Sequence, residues 1–293
     1  MKTDRRDFIR IGVTGTGMIA GQLQSSRFKV QSSKFQVYII QYQLLMKDKA
    51  TTTSLAVILF LIISSFRFSP EPELSVYKVA RLKKPMNIDA NWEKQQWENI
   101  KALEITNYMG TIPAFKPVAR AKMMYDKENV YVIFQVQDRY VRCLTDKING
   151  PVYKDSAVEF FFAPDQNIPL KYFNLETNCG GTPLLFYNLI PRKDSRKLDI
   201  EDIKKVEIVT SLPKVIDPEM SEPVTWTIEY KIPIAMLEKY ATVTRPEKGV
   251  EWRANFYKIA ENSSNPHYIT WSVVGLEKPN FHAPKFFGKL VFE

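Results

Sequence analysis

Tyr153, Asp155 and Glu159 fall within one short stretch, Tyr-Lys-Asp-Ser-Ala-Val-Glu, that runs straight into Phe160-Phe161-Phe162-Ala163-Pro164. A tyrosine ring offers a flat apolar face with a polar edge, and ionised carboxylates accept hydrogen bonds from hydroxyl donors. Side chains an even number of residues apart on a strand share a face, so Asp155 and Glu159 would present their carboxylates together. This suits the capture of a polar, ring-shaped ligand such as a sugar, by stacking and hydrogen bonding, without catalysis. Two other uses of the acids stay open. Asp155 is a candidate ligand for Ca²⁺, a hard cation that takes clustered oxygen donors, or the acids are ordinary strand-edge charge paired with basic neighbours. Glu176 and Asn178 repeat the even spacing after a strand that begins near Lys171. If that strand pairs with the one over 157–162, four polar side chains converge at one sheet edge.

The other chemistry-bearing residues are sparse. Trp271 follows the polar run Glu261-Asn262-Ser263-Ser264-Asn265 and reads either as an exposed platform or as core. Trp97 and Trp226 read as packing residues, and Trp252 is open between the two roles. His267 and His282 are the only histidines, and neither belongs to a spaced cluster of metal ligands. The chain has no Gly-x-Ser-x-Gly elbow and no phosphate loop. A pair of carboxylates at glycosidase spacing is invisible in a sequence, so an exported glycoside hydrolase stands as an alternative, as does an accessory interaction domain.

The elements that must position these residues are strands. Residues 119–125 and 130–137 alternate apolar and polar around the turn Asp126-Lys127-Glu128-Asn129. Residues 157–162 are apolar enough for a strand covered on both faces. Further strands are expected over 171–177, 184–189, 206–210, 225–231, 253–260, 268–272 and 289–292, and short helices near 91–97 and 234–240. Short strands at this spacing predict an all-β fold, an antiparallel β-sandwich of jelly-roll or Ig-like type with one or two short helices, over residues 71–293 as a single domain.

The formal net charge of +9 is concentrated ahead of that domain. Residues 1–70 carry ten Lys/Arg against three Asp/Glu, whereas residues 71–293 carry 31 against 29. The folded part therefore lacks the electrostatic footprint of nucleic-acid binding. Residues 3–21 resemble a twin-arginine export signal, with Arg5-Arg6 before Phe8 and a mildly apolar stretch. Met46 starts a second, secretory pattern, with Lys47 and Lys49 ahead of the apolar run 55–63, too short for a membrane span. Two export signals in series conflict. Residues 1–45 are therefore read as an upstream extension and 46–70 as a signal peptide or N-terminal anchor, the one expected link to a membrane. The protein is expected to be exported, periplasmic or extracellular. Export permits a disulfide, but Cys143 and Cys179 would meet only if the strand ends carrying them are adjacent.

Several segments in order resemble the family 9 carbohydrate-binding modules, and the wider DOMON superfamily of β-sandwiches, from about Tyr77 to Glu293. They are Ile88-Asp89-Ala90 with Trp97, Met123-Met124-Tyr125-Asp126 turning into Val130-Tyr131-Val132, and Tyr153 to Phe161. Tyr172 to Asn178, Trp226 to Pro233, Trp252 to Tyr257 and Phe281-His282-Ala283-Pro284 with Phe287-Gly288 complete the set. The resemblance implies a non-catalytic module of polysaccharide degradation that clamps the end of an oligosaccharide or polysaccharide between two aromatic rings. It also implies structural Ca²⁺ and no organic cofactor. By position Tyr153 resembles one clamp ring, Trp271 the other and Glu159 an acidic hydrogen-bonding residue; Glu176, Asn178, Arg120 and Asn255 are the further residues expected to hold hydroxyls. Tyr153 stands where the family carries Trp, and Ala90 where it carries Gly. Haem-binding relatives in the superfamily make Met123, Met124, His267 and His282 the residues of a less favoured electron-transfer reading.

Overall fold

The computed structural model describes residues 74–293 and, ahead of them, only the backbone of two strands, β1 (Val13–Ile19) and β2 (Gln22–Phe28), which pair antiparallel. The Arg5-Arg6 pair and the apolar run 55–63 lie outside the described residues. The chain divides into two compact units, 1–70 and 71–293, and the second is the β-rich domain.

In that domain the strands run in chain order as β3 (Val76–Arg81), β4 (Leu103–Ile105), β5 (Asn107–Tyr108), β6 (Val118–Tyr125), β7 (Asn129–Asp138), β8 (Val141–Cys143), β9 (Ala157–Ala163) and β10 (Tyr172–Asn178). They continue as β11 (Pro183–Ile190), β12 (Asp194–Lys197), β13 (Glu207–Thr210), β14 (Ile216–Met220), β15 (Val224–Pro233), β16 (Glu251–Ala260), β17 (His267–Thr270) and β18 (Gly288–Phe292). One layer has the order β12-β11-β10-β9-β16-β18, and the other the order β6-β7-β15-β13. β3 joins the layers. Its Val76–Val79 half pairs with β18 and its Ala80–Arg81 end with β6, both in parallel, so the two layers form one curled sheet. The remaining pairings among the described residues are antiparallel, as the sequence predicts. β8 and β14 form a separate ribbon.

Alternation along β9 decides what lies inside. Val158, Phe160 and Phe162 face the second layer, where Phe160 stacks on Phe162 at 4.5 Å and on Phe256 at 4.8 Å. Phe161 and Ala163 belong to a second apolar cluster on the outer face, with Tyr172, Tyr257, Phe281 and Phe287. The strand is apolar throughout because both its faces are covered. The outer cover is the chain between β17 and β18, which folds back over β9, β10 and β16.

The opposite outer face is closed by the segment before β4. Glu229 on β15 is fully buried there, and its Oε2 accepts hydrogen bonds from the Asp89 and Ala90 N–H groups at 2.9 Å each and from Lys94 Nζ at 2.8 Å. Its Oε1 accepts the Trp97 indole N–H at 2.8 Å. Ala90 has φ 58°, the left-handed region that favours glycine, which gives the Ile88-Asp89-Ala90 signature a backbone reason. Among the described residues three four-residue helices are present, Gln95–Glu98, Ile200–Ile203 and Ile234–Leu237. The expected hairpin turn also forms, with the Asp126 N–H donating to the Asn129 carbonyl at 2.9 Å and Asp126 Oδ1 accepting the Glu128 and Asn129 N–H groups. Cys143 and Cys179 are both buried and unbridged, and the strand ends that carry them are adjacent. The neighbouring Cys143 thiol and burial raise the Cys179 thiol well above the usual range.

Candidate functional site

On its outer face, the β9 to β12 side of the first layer does not pack solidly. Glu159 on β9 stands directly across from Glu176 on β10, and Asn174, two residues away, stands across from Phe186 on β11. These outward side chains, roofed by Pro279 to His282, line a cavity of about 400 Å³. Its floor is polar and its walls are aromatic. Tyr153 stands in the short 3₁₀ turn Val152–Lys154, and its carbonyl accepts the Glu261 N–H at 3.4 Å, which ties that turn to the end of β16. Phe281 stacks on Tyr257 at 4.1 Å, and Tyr268 meets Phe281 edge-on at 6.1 Å.

A directed hydrogen-bond chain organises the floor. Ser195 Oγ donates to Asn188 Oδ1 at 2.6 Å, and Asn188 Nδ2 donates to Asn174 Oδ1 at 2.6 Å. Asn174 Nδ2 then donates to Glu176 Oε1 at 2.8 Å. The amides are locked in one orientation, so the chain ends on the acceptor that a carboxylate supplies. Burial pushes Glu176 up to about 7, Asn174's hydrogen bond pulls the other way, and Glu261 adds to the rise. Burial, then Glu176 and Glu261, hold Glu159 well above the ordinary carboxylate range. The Tyr172 hydroxyl lies 2.7 Å from His282 Nδ1. Burial and the Arg192 charge hold His282 down at about 4, so near neutrality the ring is uncharged.

Arg192 guards the mouth. It sits after Pro191 in the β11–β12 turn, where the Lys193 N–H donates to the Ile190 carbonyl at 3.0 Å. Its φ of 58° is the left-handed value that the third residue of a type II turn requires. Its Nε donates to Asn280 Oδ1 at 2.9 Å, linking the turn to the roof.

The structure brings Tyr153, Glu159 and Glu176 together in this cavity and sends the other sequence candidates elsewhere. Trp271 is only 9 % exposed and lies in the core between the layers, edge-on to Phe256 at 5.7 Å. A Cβ on Gly288 would come within 2.6 Å of the Trp271 ring, so the glycine makes room for the indole. Phe281 and Tyr268 supply the rings facing Tyr153's side of the cavity instead. Arg120 lies on the far layer, its guanidinium donating to Gln135 Oε1 at 2.6 Å and resting 5.0 Å from the Trp92 ring. Asn255 is fully buried and clips β16 to the chain after β17, donating to the Ser272 carbonyl at 3.0 Å and accepting the Ser272 N–H at 2.8 Å.

Asp155 and Asn178 pair with one another rather than with Glu159. Asp155 precedes β9, so strand parity does not govern it. Its Oδ1 accepts the Leu144 N–H at 3.1 Å, and its Oδ2 accepts the Thr145 N–H at 2.8 Å and Asn178 Nδ2 at 2.9 Å. Three N–H donors aimed at this carboxylate do not fit the Ca²⁺ role, because a cation would face their positive ends. The four residues of the haem reading are dispersed. Met123 lies between the layers and Met124 against the Trp97 cluster, while His267 contacts Lys258 and His282 contacts Tyr172.

Sequence reasoning did not single out Asn174, Asn188, Glu261 or Phe281 for the sugar site, and it offered His282 only to the haem reading. Asn174 carries a legible signal, since it lies two before Glu176 on the same strand face. Asn188 does too once β10 and β11 are paired, because it stands opposite Tyr172. The roof residues Phe281 and His282 stood in the family resemblance, but a loop has no periodicity to place them over the site.

The sequence profile of carbohydrate-binding family 9 matches residues 84–292. A protein of Bacteroides uniformis described as carbohydrate-binding has a similar structure, with a TM-score of 0.68 and 24 % identity over 75 % of this chain and 100 % of its own. A family 9 carbohydrate-binding module of Caldicellulosiruptor kristjanssonii, solved in complex with cellotriose, gives a TM-score of 0.53 at 16 % identity over 75 % of this chain and 94 % of its own. A family 9 module of the same organism, solved in complex with glucose, gives 0.51 at 16 % identity over 75 % of this chain and 96 % of its own. At these identities the structures carry the fold. None of the curated proteins matches the chain. The profile spans well over half of the sequence, and the protein belongs to carbohydrate-binding family 9.

Proposed function

We propose that the cavity over β9, β10 and β11 binds a carbohydrate, and that binding rather than bond cleavage is the function. The observation that carries this reading is the combination in one chamber of Tyr153, Tyr268 and Phe281 as ring walls with the Asn188-Asn174-Glu176 chain and Glu159 as a polar floor. Sugars present apolar C–H faces and polar hydroxyl edges, and such a chamber matches both. The family 9 modules of Caldicellulosiruptor kristjanssonii, solved with cellotriose and with glucose, support a sugar as the ligand.

The walls and floor have separate tasks. Ring faces exclude water from one side of the sugar, and the locked amides fix which hydroxyls accept and which donate. A site of this size with few polar anchors suits micromolar to millimolar affinity, about −4 to −8 kcal/mol. Calorimetric titration of the full chain against an oligosaccharide panel tests the reading. Saturable heat for at least one sugar is expected, with no release of chromophore from matched chromogenic glycosides. Turnover of such a glycoside that is lost on Glu159→Gln would replace the binding reading with a hydrolytic one.

A further inference from the structure

The charge inventory of the cavity is lopsided. Glu159, Glu176 and Glu261 line it; of its two basic side chains, Arg192 is exposed at the mouth and already donating to Asn280, and His282 is uncharged near neutrality. Glu159 and Glu176 face each other across the strand pair and are 2 % and 5 % exposed. Glu176 accepts one amide hydrogen bond. Among the described residues nothing donates to the Glu159 carboxylate, and no lysine or arginine pairs with either acid. A carboxylate that is this buried, unpartnered and turned into a chamber is costly unless an occupant supplies the missing charge or donors. Hydroxyl groups alone would be served by the amides beside it. A second acid opposite the first adds repulsion, which a shared proton relieves in the empty cavity and a bound cation relieves in the filled one.

Building on the carbohydrate reading, we infer that this site takes an amino sugar, with the ammonium group seated between Glu159 and Glu176 and the sugar ring against Phe281 and Tyr153. An ammonium is a compact charge with three donors, enough to reach both carboxylates and leave one for a neighbouring oxygen. A bare divalent metal fits less well, since among the described residues no group of three His, Cys, Asp or Glu is placed to hold one. Ligand that enters as the ammonium form displaces the proton the acid pair holds in the empty cavity, and that proton is released to solvent.

The test is a calorimetric titration of the full chain with three matched β-1,4-linked disaccharides, of glucosamine, N-acetylglucosamine and glucose, in two buffers of different ionisation enthalpy. The glucosamine disaccharide is expected to bind at least about tenfold tighter than the glucose one at neutral pH, with buffer-dependent heat and an affinity that falls with added salt. Glu159→Gln is expected to remove most of that preference, weakening the glucosamine disaccharide by more than it weakens the glucose one. Glu176→Gln serves as the second variant should the first fail to fold. Equal or tighter binding of the glucose or N-acetylglucosamine disaccharide by the unaltered protein would overturn the amino-sugar inference and leave the carbohydrate reading intact. Binding of none of the three, together with silence across a wider sugar panel, would overturn both.

Discussion

Glu176 ties the chemistry of the site to the stability of the protein. Its carboxyl titrates near 4.5 in the unfolded chain and is pushed up to about 7 in the fold, chiefly by burial. Below pH 4.5 both states hold the proton. Between 4.5 and 7 the folded state keeps it while the unfolded state releases it, so stability is lost as the pH rises through this window. Of the groups that face it, Glu261 and Arg192 are the same in parent and variant, whereas Glu159 loses the repulsion of a charged neighbour in the variant, which acts in the same direction at high pH. Glu176→Gln keeps the acceptor for Asn174 and removes the titration. The variant is expected to match the parent near pH 4.5 and to exceed it by about 3 kcal/mol near pH 8, each tenfold difference in proton affinity between the two states being worth ~1.4 kcal/mol. Urea unfolding at the two pH values checks it, and an unchanged difference between them would contradict the assignment. His282, held at about 4 by burial, works in the opposite direction below pH 6.5 and cancels between parent and variant. Of the residues involved, Glu159 and Glu176 were legible from parity and strand pairing. Asp155 was not, because it stands before the strand, where alternation no longer fixes direction.

At the scale of elements, the β11–β12 turn accepts backbone strain in order to place a guanidinium. Arg192 holds φ 58°, where an L side chain costs about 1 kcal/mol or more relative to glycine. Arg192→Gly is expected to leave the fold as stable or up to about 1 kcal/mol more stable by thermal unfolding, while weakening ligand binding through loss of the Asn280 tether. A loss of stability with binding unchanged would count against this role. The roof leans on another backbone special. Gly110 has φ 70°, and a Cβ there would lie 2.9 Å from Pro279 Cγ, so this glycine lets the chain after β5 approach the loop that closes the cavity. β9, β10 and the β6–β7 hairpin were legible because they alternate or run apolar over enough residues. β12 is four exposed polar residues and β5 is two residues long, so neither left a pattern to read. Trp271 falls one residue after β17, and its direction is set by the space that Gly288 leaves rather than by its own neighbours.

Across the whole domain, buried charge is confined to places where partners are built in. Lys258 on β16 is fully buried, with Nζ 3.0 Å from Asp138 Oδ2 at the end of β7, 2.7 Å from His267 Nε2 on β17 and 3.0 Å from the Ile259 carbonyl. His267 Nδ1 donates to the Asn265 carbonyl at 2.7 Å, which leaves Nε2 to accept the lysine. Burial and the lysine charge hold this histidine down at about 3. Lys258→Ala strands Asp138 in the interior and is expected to cost about 3–5 kcal/mol by chemical denaturation. A cost below about 1 kcal/mol would show that water reaches the cluster and replaces the lysine. Glu159 breaks this pattern. It is as buried as Lys258, has no partner of its own among the described residues, and opens onto the cavity. The most direct measurement of what that cavity is for is an oligosaccharide titration of the full chain beside its Tyr153→Ala, Phe281→Ala double variant, with folding verified by circular dichroism. The account predicts saturable binding of at least one sugar by the parent and at least about a tenfold loss in the variant. Silence across the panel, or equal affinity in the two proteins, would contradict it.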